Sequence, residues 1–298
     1  MSSTTGERVF IIGGTGNTGA AAVRDLVAKR IPVTLYARNP DKAASLFSTP
    51  GDEAAFKVVQ GDLQDLASLK NALPGHTRLL VVVADLVNMV EIKKAVALAA
   101  YAAGIKQIVD ISSISVTAPW RSTYIGNLHQ VSEQAILAAA SAHNAHVVTL
   151  RPTRFLSNLI VFDRPGPTAF VDSADPDAPQ GWISPNDIGA LAAVVLSEDI
   201  KKHGNGVYEL VGDVVTANQR AEIFTRVLGR PIAYQRLSAL DRYNGLQKHL
   251  PFLPFLMLYD WAIMQDRSPA ISQGLAILLG REPETFEAFL QANKKAIE

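Results

Sequence analysis

Val9-Phe10-Ile11-Ile12-Gly13-Gly14-Thr15-Gly16-Asn17-Thr18-Gly19-Ala20-Ala21-Ala22-Val23 sets the reading of the whole chain. The first four residues form an apolar, strand-like run, the glycines a turn, and the segment on to Val27 carries helical spacing. Glycines at 14, 16 and 19 satisfy G-x-G-x-x-G, and those at 13, 16 and 19 satisfy G-x-x-G-x-x-G. One glycine makes the tight turn, one lets backbone N–H groups approach a pyrophosphate, and the last lets helix and strand pack closely. The phosphate charge then rests at a helix N-terminus. Alone the motif says little; between a strand and a helix it points to a dinucleotide. Gly13, Thr15, Gly16, Asn17, Thr18 and Gly19 are the candidate cradle.

The next strand decides which dinucleotide. A unit that binds NAD carries an Asp or Glu about 20 residues on, where it holds the ribose 2′-OH. Here Val33-Thr34-Leu35-Tyr36-Ala37 runs into Arg38, and no acid stands at that place. A guanidinium offers a planar fork to a 2′-phosphate, and Lys42 lies one helical turn further on. The pattern favours NADP over NAD, against the plainer reading of Arg38 as a surface arginine. Asp62 and Leu63, after the strand Phe56–Val59, stand where the adenine would lie. Asp65 reads as the N-cap of the helix Leu66–Ala72.

Outward from there, β-branched runs at Leu79–Val83, Gln107–Ile111 and His146–Leu150 alternate with helical segments, two of them long and alanine-rich (Val90–Ala103 and Leu128–Ala142). The strands are apolar on both faces, as in a parallel sheet covered by helices on both sides. Right-handed βαβ units in a doubly wound sheet are the expectation. The rhythm changes after Leu150. Residues 151–181 are rich in Pro, Asp and Gly and too long for an ordinary connection. Beyond them come a helix at Pro185–Leu196, a strand at Gly206–Val211, a helix opened by Thr216 and a strand at Pro231–Arg236. Helices broken by Pro251, Pro254, Pro269 and Pro283 close the chain. The expected division is a cofactor-binding core at 1–152, with segments near 183–215 returning to it, and a smaller, mostly helical substrate or lid subdomain at 153–298.

Composition narrows the field. The chain has 298 residues, 48% of them hydrophobic and 19% charged, so a folded protein is expected rather than a disordered one. Lys plus Arg (28) balance Asp plus Glu (28), and basic residues come at most in pairs such as Lys93-Lys94, which read as solvated helix faces. Direct nucleic-acid binding is therefore not expected. With no cysteine, thiolate metal sites and thiol nucleophiles are excluded, and a reducing compartment fits. The first eight residues lack the apolar core of a signal peptide, and no apolar run reaches the roughly 20 residues of a membrane span. A soluble cytoplasmic protein is the expectation. His143 and His146 sit at a helix-to-strand connection with no third ligand nearby, so no metal site is assigned.

The chain resembles the NmrA-like family of atypical short-chain dehydrogenases/reductases, which have an NAD(P)-binding Rossmann fold. The resemblance rests on Gly13–Gly19, on Ala37-Arg38-Asn39-Pro40-Asp41-Lys42, on Gly61-Asp62-Leu63, and on Gly104–Val109 leading into Ser112-Ser113. It continues through Leu150-Arg151-Pro152 with Phe155 and Asn158, Asp187-Ile188-Gly189, Tyr208–Gly212 and Thr285–Phe289. It spans nearly the whole chain and is specific for fold and cofactor, unspecific for substrate. The family includes redox-sensing regulators and NADPH-dependent reductases of quinones, triphenylmethane dyes and plant phenylpropanoids.

Ligands of an open α/β sheet bind at the carboxyl ends of the strands. Val83 and Ala84, Ser112 and Ser113, and Pro152 to Phe155 stand there. Ordinary short-chain dehydrogenases use Ser, then Tyr with Lys four residues later. Tyr124 is present, but its i+4 neighbour is Leu128, and His129 lies about 140° round the helix. The resemblance implies that His129, four residues before Glu133, takes the place of a Lys that several members carry facing the nicotinamide ribose. A histidine titrating near neutrality could also donate a proton. The alternative is a helix histidine paired with Glu133. His129, Tyr124 and Ser113 are the candidate catalytic residues. Gly13, Thr15, Gly16, Asn17, Thr18, Gly19, Arg38, Lys42, Asp62, Leu63, Val83, Ala84, Ser112, Pro152 and Phe155 are the candidate cofactor contacts. Trp120, Asn158 and Trp182 are the candidate substrate pocket, although for the tryptophans a place in a satellite core is an equal reading. The apolar stretch Phe252–Trp261 reads as a packed subdomain or a homodimer face.

The leading expectation is an NADP-dependent oxidoreductase that passes hydride from NADPH to a small, largely apolar conjugated substrate: a quinone, enone, imine or related carbonyl compound. A non-catalytic NADP sensor acting through a protein partner, or an isomerase or dehydratase on the same scaffold, are the alternatives.

Overall fold

The computed structural model describes residues 8–47, 56–263 and 270–298; Pro269 lies outside them. The chain divides into two units. The first comprises Met1–Val116, Leu128–Arg151 and Asn186–Tyr208, the second Thr117–Asn127, Pro152–Pro185 and Glu209–Glu298.

The first unit is built from β1 (Val9–Ile12), α1 (Asn17–Ala28), β2 (Val33–Ala37), α2 (Pro40–Phe47), β3 (Phe56–Gln60), α3 (Ala67–Ala72), β4 (Arg78–Val81), α4 (Met89–Ala102) and β5 (Gln107–Ile111). A single turn of 3-10 helix (Ile114–Thr117) precedes α5 (Tyr124–Ala142) and β6 (His146–Pro152). Among the described residues, seven strands form one sheet in the order β10-β6-β5-β4-β1-β2-β3, where β10 is Val207–Leu210. The ladders β3–β2, β2–β1, β1–β4, β4–β5 and β5–β6 are parallel. All residues of β1, β2, β4 and β5 are buried, which is why those strands show no alternation in sequence. One side of the sheet closes over Phe10, Ile12, Leu79 and Val81 with Val96, Ala100 and Ile136 from α4 and α5. On α1, Ala21 and Ala22 meet Gly189 of α7 (Pro185–Ser197); a Cβ on Gly189 would stand 2.5 Å from that of Ala21, so only glycine admits this approach. The short α8 (Ile200–His203) is capped by Asp199.

The second unit holds more strand than its sequence suggests. Residues 151–181, read as too long for an ordinary connection, contain β7 (Arg154–Phe155), α6 (Asn158–Val161), β8 (Ala169–Asp172) and the start of β9 (Gln180–Ile183). With β11 (Asp213–Val215) and β12 (Ala233–Arg236) they build one sheet ordered β11-β9-β7 and another pairing β12 with β8. Strands of two to four residues leave too few side chains to display a period of two. Helices α9 (Ala217–Leu228), α10 (Ala239–His249), α11 (Phe255–Ile263), α12 (Gln273–Leu279), α13 (Phe286–Ala292) and α14 (Lys294–Ile297) complete the unit. Thr216 opens α9 with a full capping box, its hydroxyl taking the Gln219 N–H and its own N–H reaching the Gln219 side chain. The core here is Phe170, Trp182, Phe224, Phe286 and Phe289 with aliphatic neighbours.

Residues 117–127 fall in the second unit. They are tied there by the Asp260 carboxylate of α11, which accepts the Tyr124 backbone N–H. No helix among the described residues is long and apolar enough to cross a membrane.

Candidate functional site

The strand order changes direction at β1. From there β2 and β3 lie to one side and β4, β5 and β6 to the other, so the crevice of a doubly wound sheet falls at the carboxyl ends of β1 and β4. The glycine loop leaves β1 at that point. Its glycines answer different demands. A Cβ on Gly13 would stand 2.3 Å from the Val82 carbonyl, on Gly14 2.4 Å from Leu35, and on Gly19 2.3 Å from the Gly13 carbonyl. Backbone closeness requires glycine at 13 and 19, while at 14 the clash is with the end of the buried Leu35 side chain. At Gly16 a Cβ would meet only the Gly13 carbonyl, at an ordinary 3.5 Å. Gly16 is also the N-cap of α1, where no side chain takes the first N–H groups. Gly16 and Asn17 are exposed, Thr15 and Gly13 are half-buried, and Thr18 is buried. The cradle is thus a helix N-terminus opened by a glycine that the protein's own packing does not demand, which fits a pyrophosphate.

Arg38 follows β2 and is exposed, as is Lys42 on α2, whose N–H is held by the Asn39 side chain at 2.9 Å. Beyond β3, Gly61 lies flat against the ring of Tyr36. The Tyr36 hydroxyl donates to the Asp62 carbonyl (3.0 Å) and is bonded to Ser68 Oγ (2.7 Å). Asp62 is exposed and caps Gln64 N–H, Leu63 is half-buried, and Asp65 caps Ala67 N–H. On the other side of β1, Val83 is half-buried and Ala84 exposed just past β4.

The two serines after β5 have separate tasks. Ser112 Oγ donates to Glu133 Oε1 at 2.5 Å, and Arg151 grips the same carboxylate with two bonds of 3.0 and 2.6 Å. Ser113 Oγ accepts the Ser115 N–H at 3.2 Å. Glu133 is therefore spoken for, and the pairing of His129 with Glu133 considered from the sequence is not what forms. His129 is 7% exposed, and its Nδ1 has no hydrogen-bond partner. Burial first, and the Lys93 ammonium second, push its pKa well below the ordinary histidine value. Burial and Lys93 thus disfavour the imidazolium form that a proton donor would use, while the neutral ring keeps one N–H with which to hold a ligand.

Lys93 is the residue that sequence reading misplaced. Far from a solvated face, it is 1% exposed, with Nζ 2.7 Å from Asp110 Oδ1 and donating to the Ile111 carbonyl at 2.8 Å. Neither Asp110 oxygen receives a well-aligned hydrogen bond, so the contact is an ion pair first. Burial raises the Asp110 pKa, and Lys93 opposes it. Two signals for this pair stood in the sequence. Asp110 interrupts an apolar strand and needs a buried cation, and Lys93 falls on the stripe of α4 that carries Met89, Val96 and Ala100.

The remaining candidates belong to the second unit. Tyr124 begins α5 and is half-buried, as are Phe155 on β7 and Asn158 on α6, while Pro152 is buried at the end of β6 and Trp120 is 59% exposed. Of the two readings of Trp182, the structure has the core one: it is fully buried, edge-on to Phe286 at 5.3 Å and beneath the guanidinium of Arg154 at 4.7 Å. It belongs to the core cluster of the second unit. Around it, Arg154, Arg220 and Arg242 all reach Asp172. Burial favours protonation of Asp172, but the three guanidinium groups outweigh it and hold its carboxyl far below the usual range. His143 Nδ1 is bonded to the Ala139 carbonyl and its ring stacks on Tyr101, while His146 Nδ1 is buried with no hydrogen-bond partner.

The model of the NmrA-like family matches residues 5–266. The chain is 29% identical over 246 residues to a (4-alkanoyl-5-oxo-2,5-dihydrofuran-3-yl)methyl phosphate reductase of Streptomyces griseus subsp. griseus, covering 82% of each chain. It is 27% identical over 304 residues to an NAD(P)H azoreductase of Xenophilus azovorans, covering 97% of this chain and 98% of the other. Among solved structures it is similar to an NADPH-dependent quinone oxidoreductase of Escherichia coli in complex with NADPH. That similarity has a TM-score of 0.75 and 26% identity over 94% of this chain and 97% of the other.

Proposed function

The chain belongs to the NmrA-like family, and on that premise we propose that it is an NADPH-dependent reductase of small, largely apolar conjugated compounds: quinones, enones, imines or related carbonyl compounds. The observation that carries the cofactor assignment is Gly16, a glycine at the N-terminus of α1 that packing leaves open. Arg38 in place of an acid after β2 supports a 2′-phosphate and hence NADP rather than NAD. The reductase names of the two curated relatives and of the quinone oxidoreductase support the reaction class.

Each group of residues then has a task. The α1 N-terminus and the loop Gly13–Gly19 hold the pyrophosphate, Arg38 and Lys42 the 2′-phosphate, and Asp62 with Leu63 the adenine edge. What the cofactor supplies when bound is hydride. His129, neutral and buried, positions the ligand at the far strand ends, and the proton that balances hydride addition comes from Tyr124 or water.

The test is NADPH oxidation followed spectrophotometrically against a panel of quinones, azo compounds, enones and imines. Turnover with at least one class is expected, and His129→Ala should lower it roughly 10²-fold, the cost of a misplaced ligand. Tight NADPH binding with no turnover across the panel would replace this reading with that of a cofactor sensor.

A further inference from the structure

Tyr36 stands on β2 among buried apolar residues. It is itself buried, in the cluster of Phe10, Ile12, Leu79 and Val81, with its ring 6.1 Å from that of Phe10. A buried hydroxyl costs free energy unless it is bonded, and the hydrogen bonds of this one go to the segment after β3. The oxygen donates to the Asp62 carbonyl at 3.0 Å and lies 2.7 Å from Ser68 Oγ on α3. A phenol has one hydrogen, so with that hydrogen on Asp62 the Ser68 hydroxyl is the donor to Tyr36. The Asp62 carbonyl also accepts the Asp65 N–H at 3.2 Å, and the Gly61 N–H reaches the Ala37 carbonyl at 3.2 Å. Gly61 rests on the phenol itself: a Cβ there would stand 2.2 Å from the hydroxyl oxygen.

Asp62, Gln64 and Asp65 are exposed, so side-chain burial does little to place this loop. We propose that Tyr36, braced by Ser68, is a positioning residue that holds the loop Gly61–Asp65 for the nucleobase of the dinucleotide. It thereby sets the selectivity for adenine over a base with an oxo group in place of the amino group. The proposal deepens the NADPH reading above and rests on it, but not on turnover, since it holds for an enzyme or a sensor alike. Asp62 Oδ1 takes the Gln64 N–H at 3.0 Å. The other carboxylate oxygen is an acceptor that an amino group satisfies and an oxo group does not. Such discrimination requires the acceptor to be fixed, because a loop free to shift turns away from the wrong base at little cost. The phenol removes that freedom before the ligand arrives, which lowers the ordering cost of binding.

The experiment is calorimetric titration of the full chain with NADPH, with NADH, and with reduced nicotinamide hypoxanthine dinucleotide phosphate, whose base carries the oxo group. The unmutated chain should prefer NADPH to the hypoxanthine analogue by at least about tenfold. Tyr36→Phe keeps the ring and loses the brace. It should weaken NADPH about fivefold, the loss expected of one neutral hydrogen bond, and the analogue by less, so that the preference between bases shrinks. The ratio of NADPH to NADH affinity, which Arg38 governs, should not move. Ser68→Ala, which leaves the core and the phenol in place, should give a smaller loss in the same direction, and adding it to Tyr36→Phe should cost nothing further. Equal weakening of NADPH and the analogue, a changed NADPH to NADH ratio, additive losses, or no base preference in the unmutated chain would each overturn the proposal. So would a Tyr36→Phe protein that melts at a lower temperature yet binds NADPH as before, since Tyr36 would then serve the core alone. Failure of the unmutated chain to bind NADPH would instead remove the NADPH reading itself.

Discussion

Gly16 and Gly19 stand three residues apart in one motif, yet the structure asks different things of them. Gly16 has extended backbone (φ −86°, ψ 167°) that any residue can adopt and room for a Cβ. Gly16→Val should therefore fold with little change in melting temperature and lose NADPH binding in calorimetry, because the branched side chain fills the place of the pyrophosphate. Gly19→Ala should do the reverse of a clean binding defect. Its Cβ would overlap the Gly13 carbonyl at 2.3 Å, so about 1–3 kcal/mol of overpacking strain should show as a lower melting temperature. A Gly16→Val protein that binds NADPH normally would move the phosphate site elsewhere. At Arg38 the expectation is a preference for NADPH over NADH of at least about tenfold, or about 1.4 kcal/mol, abolished by Arg38→Asp. Equal affinities in the unmutated chain would refute the 2′-phosphate role.

The elements differ in how much local sequence supports them. Helix α9 has a complete capping box at Thr216 and a left-handed C-cap at Gly229 with φ 72°, and it was legible to within a residue at either end. Thr216→Ala should lower stability by about 1 kcal/mol, a shift of about 2–4 °C in a protein of this size, measured by thermal unfolding; no shift would mean that packing of Phe224 and Ile223 alone holds the helix start. Helix α5 was read four residues short because Tyr124 to Asn127 carry little apolar periodicity. Their helical start is fixed instead by the Thr123 hydroxyl, which accepts the Gly126 N–H, and by the distant Asp260 carboxylate. The short strands β7, β8 and β9 were invisible for a related reason: each is stabilised by its ladder partner and not by its own residues.

Across the whole molecule, two buried histidines link folding to pH. His129 is pushed down by burial and then Lys93; His76, bonded to Leu73 and Thr34, is pushed down chiefly by burial. Both belong to the first unit. Because the folded pKa lies below the unfolded value of about 6.5, the unfolded chain takes up more protons as the pH falls. Stability is therefore complete above about pH 6.5 and declines below it, by at most about 1.4 kcal/mol per pH unit for each histidine. Calorimetry at pH 7.5 and 5.0 should show the melting temperature falling, and His129→Gln should reduce the fall. The same neutrality means that turnover should show no limb assignable to His129 between pH 6 and 8; such a limb, lost in His129→Gln, would restore it as a proton donor.

What the sequence determined by itself was everything encoded in contiguous residues. The glycine loop between strand and helix, the missing acid at Arg38 and the doubly apolar strands lead to a parallel sheet with a dinucleotide site, because turn geometry, phosphate approach and burial on both faces leave local marks. The tertiary structure alone decided which polar residues meet. Lys93 and Asp110 are 17 positions apart, Ser112 and Glu133 are 21 apart, and Arg151 is 18 beyond Glu133. Lys93, taken singly, reads as a surface charge, and Asp110 within an apolar strand calls for a buried cation without saying which one. Trp182 likewise became core once Phe286, more than a hundred residues on, closed against it. A side chain's chemistry is set by the partners that desolvate and pair it, and those partners are chosen by the packing of whole elements.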